Sequence, residues 1–255
     1  MRKVAIIQVR TTSHRLPNKC LLKLFGKTIL EHVVNRLKYA KTIDDICIAT
    51  TINKTDDVIE QLATKGNIPC YRGQEDDVLD RFFQAAKFMK ADVICRITAD
   101  DPLKDPIVLD DMMAVYLDGE YDYVSNTLNP TFPEGIDIEI FSFEALSRAW
   151  EEGRLPSERE HVTPYIWKNS DIFHIYSFEN VVDLSFYRWT LDRAEDWVFI
   201  QQVYEYLYQD REMFYMNDVL VLLKKIPWLA EINSGIIRNE GYIKSIEEEK
   251  RKVDD

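Results

Sequence analysis

Apolar positions fall into two rhythms along this chain. Residues 3–9 (KVAIIQV) form a β-branched run that breaks into a polar loop, and residues 28–38 (TILEHVVNRLK) then place Ile29, Val33, Val34 and Leu37 at helical spacing. Strand, loop and helix are expected in that order. The pattern recurs as a strand over 45–50 with a helix over 55–64, then as a helix over 77–89, a strand over 92–98 and a helix over 106–117. Such alternation predicts an α/β fold: a mostly parallel sheet between two helical layers, Rossmann-like αβα, with ligands beyond the carboxyl ends of the strands. After residue 120 the alternation loosens. Strands are expected at 121–125, 136–142, 172–178 and 186–191, a Pro-containing loop at 126–135, and helices at 143–151 and 157–168. From 194 onward the spacing of Trp197, Ile200, Val203 and Leu207 is helical to the end. No compositional shift marks a linker. The chain reads as one domain, 1–255, built from about 1–125, a part over about 126–192 with a small inserted β element, and helices over 194–255.

Composition narrows the class. In 255 residues, 46% hydrophobic and 30% charged, there is material for a full core, and 8 glycines and 9 prolines without run or period exclude fibrous and low-complexity chains. With 44 acidic against 32 basic residues the net charge is -12, which argues against nucleic acid as a partner and requires a local basic patch for any bound anion. The apolar start is too short for a signal peptide and no run approaches the ~20 residues of a membrane span, so a cytoplasmic protein with no membrane partner is expected. Cys20, Cys47, Cys70 and Cys95 form no Cys-x-x-Cys pair and read as reduced fillers. His14, His32, His161 and His174 lack zinc-ligand spacing, so a metal is expected on oxygen ligands. Aromatic residues crowd the stretch from Tyr165 to Trp228. They suit core packing or the surface of a homodimer, the assembly expected here.

Two features carry chemistry. Directly after the first strand, residues 10–19 (RTTSHRLPNK) place Arg10, Arg15 and Lys19 beside Thr11, Thr12 and Ser13 at the sheet's carboxyl edge. Without glycine this is neither a Walker loop nor a dinucleotide fingerprint. Its side chains would supply the charge, Arg as a bidentate fork and Lys as a point charge, which suits several phosphates in a row. The second feature is a repeat, Arg96-Ile97-Thr98-Ala99-Asp100 and Arg188-Trp189-Thr190-Leu191-Asp192. Each Arg-x-Thr-x-Asp, if extended, presents its three polar side chains on one face with the Asp at the carboxyl end. Two such segments would bring two carboxylates together over the crevice, and hard oxygen ligands completed by triphosphate and water suit Mg2+. The alternative is structural, with Asp100 capping the turn into Asp101-Pro102 and Asp192 opening the turn before Glu195 and Asp196.

The ordered segments RLPNKCLLKLFGKTILEHVVNRL, RGQEDDVLDRF, RITADDPLKDP, FPEGIDIEIF, EHVTPY and RWTLDRAED resemble the cytidylyltransferases similar to spore coat polysaccharide biosynthesis protein F. These are distant relatives of the enzymes that make CMP-activated 3-deoxy-manno-octulosonate and CMP-activated sialic acids. The resemblance spans about residues 1–200 and implies a nucleotidyltransferase domain, nucleotide-binding over about 1–125 and acceptor-binding over about 126–192. It implies that Arg10, Arg15 and Lys19 bind the triphosphate of CTP, that Asp100 and Asp192 coordinate Mg2+, and that Arg72, Gly73, Asp77 and Arg81 approach the nucleotide; Thr12, Ser13 and Thr98 are expected beside them on the nucleotide side. The commonest form of the first segment has Gly where this chain has Asn18, a residue that tolerates left-handed backbone.

The acceptor side is expected at Asn126, Glu134, Asp137, Glu139, Glu160, His161 and Arg188. Residues 136–140 alternate Ile-Asp-Ile-Glu-Ile, which puts Asp137 and Glu139 on one face. Solvation of a sheet face by Asp137 and Glu139, and packing by His161, are the bland alternatives. The acidic balance of FPEGIDIEIF favours hydroxyl or ammonium donors, hence an amino- or polyhydroxylated sugar, with at most a single carboxylate, over a bisphosphate. The activity implied is Mg-dependent transfer of CMP from CTP to a sugar or sugar-acid acceptor with release of pyrophosphate, for surface polysaccharide or glycoconjugate synthesis. Alternatives are use of another nucleoside triphosphate, or a glycosyltransferase that consumes a nucleotide sugar.

Overall fold

The first apolar run becomes strand β1 (Lys3–Gln8), and its period of two divides it between two cores: Ala5 and Ile7 enter one cluster, Val4 and Ile6 the other. The computed structural model describes residues 1–13, 15–208 and 212–254. After β1 come β2 (Lys23–Leu24), β3 (Lys27–Thr28), α1 (Ile29–Leu37), β4 (Asp45–Thr51), α2 (Asp57–Lys65), β5 (Cys70–Gly73), α3 (Val78–Met89), β6 (Val93–Thr98) and α4 (Pro106–Asp118). The second half contributes β7 (Tyr123–Ser125), β8 (Glu139–Ser142), α5 (Phe143–Glu152), α6 (Pro156–His161), α7 (Pro164–Lys168), β9 (Ile175–Ser177), α8 (Ala194–Leu207), α9 (Met216–Lys225) and α10 (Glu240–Asp254).

The central sheet runs β5, β4, β1, β6, β8, β7, β9. β1 is parallel to both β4 and β6, and β4 is parallel to β5, whereas β8 is antiparallel to both of its neighbours. Core residues of α1, α4, α8 and α9 pack on one face, and those of α3, α5 and α7 on the other, giving the expected αβα layers. The chain leaves β1 toward β4 and β5 and returns to β6 on the other side, so the sheet's switch point lies between the carboxyl ends of β1 and β6. Reversal of β8 sets Glu139 opposite Arg96 at this same edge. The loops that carry chemistry converge there.

Several expected elements are corrected. Residues 136–142 form strand only from Glu139. The preceding residues are held by Asn126, whose Nδ2 donates to Ile136 O at 3.0 Å and whose Oδ1 accepts from Ile138 N at 2.8 Å. The helix expected over 157–168 is two helices, because Val162 takes φ 73° and Pro164 starts a new first turn. Residues 186–191 make no strand and join the fold through one parallel bridge, Glu134 to Arg188. Helicity after 194 is broken between α8, α9 and α10. Strand β5 and the β2–β3 hairpin were hidden by their shortness. Of the aromatic crowd, Trp189, Tyr204 and Phe214 are core residues, whereas Tyr206 and Trp228 are exposed. The four cysteines are free thiols. No helix among the described residues is long and apolar enough to cross a membrane.

Gly135 shows why the FPEG turn needs glycine. Its φ is +106°, and a Cβ there would lie 2.6 Å from Thr190 N and Trp189 C. Gly135→Ala is therefore expected to destabilise, by more than the ~1 kcal/mol that a strain-free glycine-to-alanine change can gain. A lowered denaturant midpoint checks this, and an unchanged midpoint would contradict it.

Candidate active site

The basic loop grows out of β1 and is shaped by two carboxylates that sequence reasoning missed. Buried Asp56 accepts from Thr11 N at 2.9 Å, from Thr11 Oγ1 at 2.6 Å and from Thr51 Oγ1 at 2.5 Å, which pins the loop's first residue. Glu75 gathers Arg10 at 3.2 Å, Thr12 and Asn53. The loop closes where Asn18 N donates to Thr11 O at 3.0 Å, and Asn18 has the left-handed backbone (φ 58°) in which asparagine replaces glycine at low cost. His14 lies outside the described residues.

From this loop Lys19 reaches both predicted aspartates. Its Nζ contacts Asp100 and lies 2.5 Å from Asp192 Oδ1, and Arg15 Nη2 lies 2.8 Å from Asp192 Oδ2. Asp192 arrives without a strand, through Leu191 N donating to Asp100 O at 2.9 Å. Against the upward push of burial, Lys19 and Arg15 hold the Asp192 carboxyl down at about 2. Burial would lower Lys19, but Asp100 and Asp192 outweigh it and raise its pKa. Thr98 Oγ1 donates to Asp101 Oδ2 at 2.7 Å, and buried Lys104 pairs with the same carboxylate at 2.8 Å. Asp101 is thereby tied into an internal pair with Lys104, whereas Asp100 meets Lys19 of the basic loop.

Arg10, Ser13, Arg15, Lys19, Thr98, Asp100 and Asp192 line one cavity of about 1220 Å³ together with Glu134, Asp137, Glu139, Glu160, His161 and Arg188. The nucleotide-side and acceptor-side residues named from sequence thus meet. Others do not. Arg72 is engaged with Asp57 at 2.7 Å and Glu60 at 2.8 Å on α2. Gly73 packs under Arg81, which is buried and donates Nη1 to Gln74 O at 2.6 Å. Asp77 caps α3, accepting from Asp80 N at 2.9 Å and pairing with Arg159. None of these four lines the cavity, and neither does Thr12, whose hydroxyl is held by Glu75, nor Asn126, which serves as the backbone clamp described above. They shape the walls from behind.

The acceptor-side acids all have protein partners. Glu139 pairs with Arg96 and accepts from Tyr123 Oη and Thr163 Oγ1, each at 2.5 Å. Burial pushes its carboxyl up, but these partners hold it below the usual range. Glu134 pairs with Arg188 at 2.6 Å, and Asp137 with Arg238 at 2.5 Å. The acidic balance read from FPEGIDIEIF therefore belongs largely to internal ion pairs.

At the other wall, Ser245 Oγ lies 2.9 Å from both His161 Nε2 and Glu160 Oε2, and 3.1 Å from Gly241 O. With its single hydrogen directed to Glu160 or Gly241, the hydroxyl receives Nε2–H from His161, leaving Nδ1 as a lone-pair acceptor. Burial lowers the His161 pKa and favours the neutral ring. The kink at Val162 turns His161 toward the cavity while Thr163 binds Glu139. Sequence reasoning missed Arg96 as a wall residue in its own right, and it missed Tyr242, Lys244 and Ser245, because the C-terminal helix carries no motif that announces a site.

The sequence matches the family model "Cytidylyltransferase" over residues 4–231. It is 38% identical to an uncharacterized protein of Methanocaldococcus jannaschii, covering 95% of this chain and 98% of that one. Similarity to the spore coat polysaccharide biosynthesis protein SpsF of Bacillus subtilis is 32% identity, over 87% of this chain and 94% of the relative. A solved cytidylyltransferase from Leptospira borgpetersenii superposes with a TM-score of 0.86 at 34% identity, covering 90% of this chain and 97% of that one.

Proposed function

The chain belongs to the cytidylyltransferase family, and from that premise we propose that it transfers CMP from CTP to an oxygen of a sugar or sugar-acid acceptor and releases pyrophosphate, with Mg2+ as its metal. The observation that carries the reading is the meeting of Lys19 and Arg15 with Asp100 and Asp192 on one cavity that extends to His161.

Asp100 and Asp192 would hold the metal. The fit is chemical: both are hard oxygen donors, and a cation, the Lys19 ammonium, already stands between them. Among the described residues no group of three or more His, Cys, Asp or Glu is arranged for a metal, so triphosphate and water oxygens would have to complete the set. When bound, the ion supplies Lewis acidity toward the α-phosphate. The chain's own residues supply positioning and charge, the two effects that contribute most to catalysis of phosphoryl-type transfer. Arg15 and Lys19 neutralise the leaving pyrophosphate. His161, neutral and donating through Nε2, offers Nδ1 to the acceptor's hydroxyl proton.

The test is pyrophosphate release from each of four nucleoside triphosphates with a mixed pool of keto-sugar acids, amino sugars and sugar phosphates. CTP is expected to support turnover that EDTA abolishes. Turnover with another nucleotide and none with CTP would overturn the cytidylyl assignment.

A further inference from the structure

Val162 holds a backbone conformation that valine seldom adopts. With φ 73° and ψ -55°, and with Thr163 N donating to His161 O at 2.9 Å, it is the centre of a γ-turn of the rare, strained hand. A β-branched residue at positive φ persists only where its surroundings over-determine it. Upstream, α6 is fixed: Val162 N donates to Glu158 O at 3.1 Å, and Arg159 donates Nε to Asp77 Oδ2 at 3.1 Å and Nη1 to Trp150 O at 3.0 Å. The Val162 side chain is itself fully buried. Downstream, Pro164 opens α7, and Thr163 Oγ1 donates to Glu139 Oε1 at 2.5 Å.

Glu139 is the anchor at the end of this chain of contacts. It lies in β8, stands opposite Arg96 in register and pairs with it through Oε2, and its Oε1 also accepts from Tyr123 Oη at 2.5 Å. Both carboxylate oxygens are therefore engaged by protein donors. Thr163 joins the sheet to the turn that carries His161, and the ring is met by Ser245 Oγ at 2.9 Å from α10. The charged groups around that ring are Glu160 at 3.7 Å, Arg96, Glu139 and Lys168, with Lys244 and Glu248 of α10 on the same cavity. Deleting the Thr163 hydroxyl removes none of these charges, so any change at the ring reports geometry.

We propose that Glu139 and Thr163 are positioning residues which, through the strained turn at Val162, hold His161 in the one tautomer that leaves Nδ1 as an acceptor. This rests on the cytidylyl-transfer reading and deepens it, since that Nδ1 is the atom offered to the acceptor's hydroxyl proton. A neutral imidazole serves as a base only if the correct nitrogen is free, and a ring released from its turn would divide its population between two tautomers.

Imidazole NMR on protein labelled with 15N at histidine tests this, with the His161 signals assigned by their loss in His161→Gln. The wild type is expected to show a neutral ring with its proton on Nε2 at neutral pH. Thr163→Val keeps the shape and deletes the hydroxyl, and should lose the fixed tautomer; Thr163→Ser should restore it. Tyr123→Phe is the control, because it removes a donor of the same length from the same Glu139 oxygen without touching the turn, and its His161 signals should match the wild type. An unchanged tautomer in folded Thr163→Val would overturn the proposal, as would equal loss in Tyr123→Phe or a wild-type ring without a fixed tautomer. Should Thr163→Val not fold, Thr163→Ala takes its place, and failure of both to fold would show that the hydroxyl holds the fold and not the ring. In turnover, Thr163→Val should lower kcat about tenfold or more and leave the KM for CTP unchanged. The spectra keep the two readings apart. If the tautomer responds as expected while no nucleoside triphosphate is turned over, the nucleotidyl reading falls and the positioning of His161 stands.

Discussion

Asp192→Asn is expected to slow pyrophosphate release from CTP by about 10² to 10³, the usual cost of deleting one preorganised electrostatic contact at a reacting phosphate. The substitution preserves shape and removes charge. Asp192 is the point where both loop cations converge, with Lys19 at 2.5 Å and Arg15 at 2.8 Å. Its neutral replacement loses the proposed hard-oxygen ligand and frees two cations from their alignment. A stability change accompanies the kinetic one. Because the folded carboxyl titrates at about 2, below its unfolded value near ~4, it stabilises the fold above that unfolded value and loses the contribution as pH falls through 2. The variant should therefore melt a few degrees lower at neutral pH while remaining folded at assay temperature. Asp100→Asn should slow pyrophosphate release alike, since it too faces the Lys19 ammonium. The double variant should lose less than the product of the two effects, since both carboxylates bear on the same ammonium. Circular dichroism and pyrophosphate release on the same samples decide the matter. Two folded, fully active single variants would remove the two-aspartate site.

How much of this was legible in the sequence depends on range. Strand β1 and helix α1 announce themselves through local periodicity, and so does the placement of Arg10 and Asp100 after two apolar runs. The pairing of Asp100 with Asp192 was visible only because Arg-x-Thr-x-Asp occurs twice. Even then the second copy reaches the site by a single bridge and one backbone hydrogen bond, not by a strand. Glu139 was placed on the correct face, but periodicity says nothing about which cation lies across the sheet, and Arg96 is its partner in register. The same limit hid Asp56 and Glu75, whose role is to tie down a loop 45 and 65 residues away. The resemblance places Arg72, Asp77 and Arg81 in a segment that approaches the nucleotide, but a linear match does not show that Arg72 pairs with Asp57, Asp77 with Arg159, and Arg81 with Gln74 O. Long-range pairing is what a linear pattern lacks.

The largest expected loss of stability is that of Arg188→Met. Arg188 binds Asp196 through Nε at 2.9 Å and Nη2 at 3.1 Å, and Glu134 through Nη1 at 2.6 Å. Arg188 is 7% exposed and Asp196 fully buried, so methionine fills much of the volume but leaves two carboxylates without their cation. Breaking a buried ion pair from one side costs roughly 3–5 kcal/mol, which for a chain of this size lowers the melting temperature by about 10 °C. Lysine should recover only part of this, because a point charge cannot replace the bidentate fork. The pH dependence gives an independent check. Burial already raises the Glu134 pKa with Arg188 opposing it, and without the guanidinium its folded value rises further. A raised carboxyl penalises the fold most at high pH, and the penalty shrinks as pH falls toward the unfolded value near ~4. The deficit of Arg188→Met relative to wild type should therefore be larger at pH 7 than at pH 5 in urea denaturation. Asp196 is cushioned by the donors it keeps, Asp192 N and Arg193 N at 2.9 Å and Asn233 Nδ2 at 2.8 Å, so Glu134 should dominate the trend. Adding Glu134→Gln to Arg188→Met should then restore part of the stability and flatten its pH dependence. A deficit below ~1 kcal/mol, or one that grows on acidification, would show that Arg188 does not carry this junction.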